Sequence, residues 1–194
     1  MIKRRSHEDD ISQMSQEMMK QVDRFVKMTQ EILDFSRGVS ETKPEPIAVD
    51  ELLQAGLELV ESEMKKRNIQ LTREILYHGE WIVDVDKMVR VFYNIASNAM
   101  DAMTDGGTLT VRARRDDNTL RIEFIDTGHG MTEDVKAKIF QPFFTYGKKL
   151  GTGLGLAIVK KIVEDHRGTI EIESEPNRGT TMRVNLPDAK LRKA

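Results

Sequence analysis

A chain of 194 residues, 39% of them hydrophobic, can bury a real core, and its length fits one large domain or an ordinary domain with an accessory element. A net charge of −2 with scattered Lys and Arg gives no support to a nucleic-acid or membrane-surface partner, and the absence of cysteine excludes disulfides, thiolate metal sites and thiol catalysis. No apolar run approaches the roughly 20 residues needed to span a bilayer. Met1-Ile2-Lys3-Arg4-Arg5 leads into acids and not into a signal peptide, so a soluble chain suited to the cytoplasm is expected, without direct membrane contact, any anchor belonging to a longer parent.

From Ile11 to Arg37 there is no Gly or Pro. Ile11, Met18, Phe25 and Ile32 recur at heptad spacing, with Met14, Val22, Met28 and Phe35 near the complementary positions. Such a stripe is the seam of a helix that packs on a partner, or else the inner face of an amphipathic helix on its own domain. Residues 1-37 are assigned to this helical segment. Residues 38-46 (GVSETKPEP) read as a linker, with Gly38 as helix stop and two prolines after it. The main domain is expected over 47-188, and 189-194 is a short basic tail.

Within the main domain, Asp50 is placed as the cap of a helix carrying Leu52, Leu53, Leu57, Leu59 and Val60. Ile69 to Ile75 and Trp81 to Val85 read as strands around a turn, and Asp86 to Met103 as a strongly apolar helix. Asp105-Gly106-Gly107 turns into a strand pair, Leu109 to Arg114 and Leu120 to Ile125, joined by Asp116-Asp117-Asn118. A helix near Leu154 to Asp165 and strands Thr169 to Glu175 and Thr181 to Leu186 follow. This order predicts an α/β (α+β) fold, a two-layer sandwich with a mixed, mostly antiparallel sheet, preceded by a long helix.

Three motifs carry the chemistry. In Asn94-Ile-Ala-Ser-Asn98-Ala-Met-Asp101-Ala102, Asn94, Asn98 and Asp101 share one helix face while Phe92, Ile95 and Ala99 can face the core. Amides at such an edge need partners, and an amide oxygen suits Mg²⁺, which keeps most of its shell as water and phosphate oxygen. Satisfaction by backbone explains the same asparagines if the motif stands alone. In Asp126-Thr-Gly128-His-Gly130-Met131, a carboxylate at a strand end can accept from an adenine amino group, and flanking glycines let the backbone approach a flat ring; a plain tight turn is the alternative. In Gly151-Thr152-Gly153-Leu154-Gly155-Leu156, glycines opening a helix leave its first N–H groups pointing at phosphates. No strand feeds this turn within a βαβ unit, so it is not the dinucleotide fingerprint.

The ordered set resembles the asparagine box and the two glycine boxes of the histidine-kinase, Hsp90, gyrase and MutL superfamily of ATPases, over about residues 45 to 188. The resemblance implies ATP and Mg²⁺ as cofactors. Asn98 would hold the metal, and Asp126 would read the adenine amino group between Gly128 and Gly130. Gly151, Gly153 and Gly155 would meet the phosphates with Thr152 and Leu154 beside them, and Thr180 would sit next to Asp126. Hydrolytic members resemble one another in placing a Glu one turn before the metal-binding Asn; here that position is Asn94, which is no general base. Ile139-Phe-Gln-Pro-Phe143-Phe144-Thr-Tyr-Gly-Lys148-Lys149 is similar to the phenylalanine box and short lid of sensor histidine kinases. Its aromatics, Phe143 among them, are expected to anchor a lid, and Lys148 or Lys149 to meet a phosphate. Asn94, Asn98 and Lys148 are the catalytic candidates. The bland alternative is a hydrophobic loop with two solvated lysines.

By this resemblance the partners are a dimerisation and phosphoacceptor helix, of the same or a sister subunit, and a response-regulator receiver domain. Glu31-Ile-Leu-Asp34-Phe35-Ser36-Arg37 is similar to the end of the second helix of the family's dimerisation hairpin. Ser6-His7-Glu8 matches the opening of its phosphoacceptor box, but no Pro follows in Asp9-Asp10-Ile11-Ser12, and His7 to Asp34 is short for two antiparallel helices. The acceptor histidine is therefore expected outside this chain. His78, His129 and His166 fall in a turn, in the adenine loop and at a helix end.

Overall fold

The computed structural model describes residues 42–147 and 151–189, together with positions 14, 15, 18, 19, 21, 22, 25, 26, 29 and 33. The chain divides into two units, Met1–Gly38 and Val39–Ala194. In the first, every described position is helical, and the apolar ones, Met14, Met18, Met19, Val22, Phe25, Val26 and Leu33, are exposed. Ile11, Met28, Ile32, Phe35 and His7 lie outside the described residues.

The second unit opens with strand β1 (Glu45–Ala48), which runs straight into helix α1 (Val49–Lys66). Two sequence expectations change here. Glu45 and Pro46 belong to a strand and not to the linker, because their backbone pairs antiparallel with β3 (Glu80–Val83). Asp50 does not cap the helix: Ala48, extended at the end of β1, holds the cap position without a side-chain bond, and Asp50 lies in the first turn. The Val49 N–H donates to Gly79 O at 3.1 Å, so the backbone of a neighbouring turn satisfies the helix start.

Strand β2 (Ile69–Ile75) and β3 lie on either side of a turn, as expected, but do not pair with each other. Strand β2 pairs parallel with β4 (Gly107–Asp116), and β3 returns to β1. Helix α2 (Val85–Ala102) lies between β3 and β4; its N-cap Asp84 accepts from Lys87 N, a bond typically worth ~1 kcal/mol. The helix buries Met88, Val91, Phe92, Ile95, Ala96 and Ala99, the stripe its 3.6-residue period demands. After β5 (Thr119–Asp126) come a short helix α3 (Glu133–Lys136), helix α4 (Gly155–Asp165), β6 (Thr169–Glu175) and β7 (Gly179–Pro187). The short helix was not foreseen.

The main sheet runs β2-β4-β5-β7-β6, with only the β2–β4 pair parallel, so the mixed, mostly antiparallel two-layer sandwich is observed. Alternation sends Leu109, Val111, Leu120, Ile122, Phe124, Met182 and Val184 into the core. Phe92 and Phe124 meet at 5.5 Å between ring centroids, and α1 passes close at Gly56, where a Cβ would lie 2.6 Å from the Phe92 ring. The outer face is polar. A row of alternating charge, Glu74–Arg112–Glu123–Arg183–Glu173, crosses all five strands through bonds of 2.7, 3.3, 2.8 and 2.7 Å.

Candidate nucleotide site

The second half of α2, the end of β5, the start of β7 and the turn opening α4 converge at one end of the sandwich. Asp126 closes β5 opposite Thr180 of β7 in the strand register. It is buried, at 8% exposure. Its Oδ1 accepts from Gly128 N at 2.9 Å and Thr180 N at 3.2 Å, while Oδ2 has no hydrogen-bond partner among the described residues. Burial pushes this carboxyl above the usual aspartate range, against the opposing pull of those two backbone donors and of nearby His129. One oxygen is thus fixed by the fold and the other remains an acceptor in a poorly solvated place.

The loop after Asp126 is stitched to its surroundings by backbone. A Cβ on Gly128 would lie 2.7 Å from both the Cβ and the carbonyl oxygen of Ala102, so only glycine lets the loop lie against the end of α2. His129 N donates to Ala102 O at 3.1 Å, and His129 O accepts from Asn177 N at 2.7 Å, in the β6–β7 turn. Gly130 adopts φ 63° against Glu175 O. Ser174 Oγ donates to Gly179 O at 2.9 Å and meets Thr180 Oγ1 at 2.9 Å. Ser174 carries no sequence signal; only the β6–β7 register, Ser174 opposite Thr180, brings it into the site.

Towards the turn that opens α4, Asn94, Asn98 and Asp101 share one half-buried face of α2. Asn94 Nδ2 donates to Arg90 O at 3.0 Å, and Asn94 Oδ1 lies 3.0 Å from where a Gly155 Cβ would stand, which puts this face beside the start of α4. Helix α4 has no side-chain cap at Leu154, and Thr152 Oγ1 accepts from Leu154 N at 3.3 Å. Its first N–H groups and the positive end of its dipole are suited to an anion. Asp101 is held by Arg67 Nη1 at 3.2 Å, a partner from the end of α1 that sequence reading missed.

The segment between the loops holds one departure from expectation. Phe140 and Phe144 pack against the core, whereas Phe143 is 64% exposed and is no anchor. Its backbone sits at φ 66°, rare for an aromatic residue. That conformation lets Phe143 N donate to Gly153 O at 3.0 Å, while Gly153, at φ 72°, passes so close that a Cβ there would lie 2.4 Å from the Phe143 carbonyl carbon. The two ends of the intervening loop are thereby joined. Tyr146 stands edge-on to His129, ring centroids 6.1 Å apart. Lys148 and Lys149 lie outside the described residues, and Gly151 precedes the turn as an exposed residue.

Among the described residues no group of three or more His, Cys, Asp and Glu could hold a metal ion. The amide oxygens on this face of α2, beside the glycine turn that opens α4, are of the donor type that fits a magnesium ion whose other ligands are phosphate and water. No helix of the described residues is long and apolar enough to cross a membrane.

Residues 83–190 match the family described as histidine kinase-, DNA gyrase B-, and HSP90-like ATPase. The chain is 33% identical over 178 residues to the sensor histidine kinase ZraS of Escherichia coli, covering 90% of this chain but only 37% of that protein. It therefore spans little more than a third of this relative. The catalytic domain of histidine kinase ThkA, in a nucleotide-free form, is similar with TM-score 0.69 and 30% identity, over 75% of this chain and 96% of that one. ThkA in complex with the response regulator TrrA matches with TM-score 0.74 and 24% identity, over 90% and 50% of the two chains, a likeness of fold alone.

Proposed function

The chain belongs to the histidine kinase-, DNA gyrase B- and HSP90-like ATPases, as an ATP-binding catalytic domain of the sensor histidine kinase kind, and from that premise we propose how it acts. It binds Mg-ATP and delivers the γ-phosphoryl group to a histidine on a dimerisation helix of the same or a sister subunit. That phosphoryl group then passes to an aspartate of a response-regulator receiver domain. The chain works in the cytoplasm.

The observation that carries the reading is the divided labour of Asp126, one oxygen held by the fold and the other left as an acceptor. Oδ2 accepts from the adenine amino group, and the glycines at 128 and 130 let the loop lie close to the ring. Asn98 contributes an amide oxygen to Mg²⁺, which would neutralise charge on the phosphates. Gly151, Thr152, Gly153, Leu154 and Gly155 turn backbone N–H groups towards the phosphates, with Lys148 or Lys149 adding a cation. Phosphoryl transfer asks mainly for positioning and charge neutralisation. Asn94, an amide with its nitrogen on Arg90 O, cannot deprotonate water, which favours transfer to an imidazole over hydrolysis.

The test is incubation of the chain with labelled Mg-ATP and an added phosphoacceptor hairpin. Acid-labile label on the hairpin supports the kinase. Binding without transfer makes the chain a nucleotide-dependent interaction module, and free phosphate alone a hydrolase.

A further inference from the structure

Asp84, Lys87 and His166 are buried, at 8%, 9% and 7% exposure, and take no part in the nucleotide site. They meet where the linker arrives. Asp84 divides its oxygens between two backbone donors: Oδ1 accepts from Lys87 N at 3.1 Å, capping α2, and Oδ2 from Lys43 N of the linker at 2.9 Å. The Asp84 N–H donates to His166 Nε2 at 3.0 Å, and His166 Nδ1 donates to Ile162 O in the last turn of α4 at 2.8 Å. Lys87 Nζ donates to Thr42 Oγ1 at 3.1 Å and stands 3.9 Å from Asp84 Oδ2. In a buried network the bonds reinforce one another, so the loss of one is felt by the rest. A cavity of about 200 Å³ lined by Thr42, Pro44, Ile82, His166 and Pro187 lies beside it. Thr42 and Lys43 of the linker are thus held by polar bonds at the margin of the core.

Helices α2 and α4 are also the two that flank the phosphate side. They are pinned together by Asp84 and His166 at their outer ends, and they pass close where Asn94 faces Gly155, since a Cβ there would lie 3.0 Å from Asn94 Oδ1. We propose that Asp84 and Lys87 are positioning residues that clamp the linker at Thr42 and Lys43 onto the outer pin, so that nucleotide binding and linker engagement stabilise each other. A nucleotide that touches both helices favours the same spacing that the clamp holds, and such coupling is reciprocal by thermodynamic necessity. The inference rests on the nucleotide reading above.

Amide exchange and fluorescent-nucleotide titration of the full chain test it. Thr42→Val, which leaves the α2 cap intact, should speed Lys43 amide exchange about tenfold; Thr42→Ser should restore it. Asp84→Asn, with one acceptor for two N–H donors, should speed it further. Saturating Mg-ATP, confirmed by the titration, should slow Lys43 exchange in the wild type about fivefold, the ratio of nucleotide affinities with the linker engaged and released. Unchanged exchange in Thr42→Val overturns the clamp, and wild-type Lys43 exchange that saturating Mg-ATP changes by less than about twofold overturns the coupling. A wild-type chain that binds no Mg-ATP defeats the nucleotide reading instead, while the exchange comparison still decides the clamp.

Discussion

Replacing Asp126 by Asn exchanges one oxygen for an NH₂ group in a carboxylate whose two oxygens have different duties. Gly128 N and Thr180 N, at 2.9 and 3.2 Å, both donate to Oδ1, so the amide keeps its oxygen there and its NH₂ takes the place of Oδ2. An adenine amino group then meets a donor where it met an acceptor. A hydrogen bond to a charged group is worth ~1.5–3 kcal/mol, so Mg-ATP affinity should fall by about one to two decades. Guanine offers a carbonyl oxygen where adenine has its amino group, so the same substitution should narrow the preference for ATP over GTP by about tenfold or more. Asp126→Ala should cost a similar one to two decades without the gain for GTP, and should also leave two buried N–H groups unpaired. Competition titrations with ATP and GTP, beside a circular-dichroism check of the fold, measure all of this. An Asp126→Asn protein that is folded and binds ATP within about twofold of wild type refutes the assignment of Oδ2 to the base.

Burial raises the Asp126 carboxyl above its unfolded value despite the Gly128 and Thr180 donors and His129. Its contribution to stability is therefore full below the unfolded value and lost as pH rises through the folded one, whereas the acceptor for adenine is lost as pH falls through the folded value. Carboxyl-carbon NMR should find Asp126 titrating above ordinary aspartates, and a titration at or below them contradicts the burial argument. Ser174→Ala removes the bonds to Gly179 O and Thr180 Oγ1; it should cost ~1 kcal/mol in urea unfolding and weaken ATP less than Asp126→Asn does. Phe92→Ala empties a fully buried site between α1 and the sheet and should cost ~3–5 kcal/mol, read as a lower urea midpoint, while a loss below about 1 kcal/mol would mean that the core closes over the gap.

Much of this protein is written locally. The stripe from Met88 to Ala99 demands a helix with one buried face, and the alternation in Leu109–Ala113 and Leu120–Phe124 demands strands with one face inward, because 3.6- and 2-residue periods survive without any knowledge of neighbours. The three boxes were legible for the same reason: each is a short run of neighbours in the chain, Asn94 to Ala102, Asp126 to Met131 and Gly151 to Leu156. Tertiary structure decided what depends on residues far apart in the chain. The parallel pairing of β2 with β4 and the return of β3 to β1 join residues far apart in the chain, so two strand-like runs around a turn do not reveal their partners. Ser174 reaches Thr180, opposite Asp126, only through register, and Arg67 reaches Asp101 only because the end of α1 lies beside α2. Phe143 and Phe144 are adjacent and chemically identical, yet one is exposed and the other packs against the core. The close passage of Gly153 separates them, drawing the Phe143 backbone into a left-handed turn that no local pattern encodes.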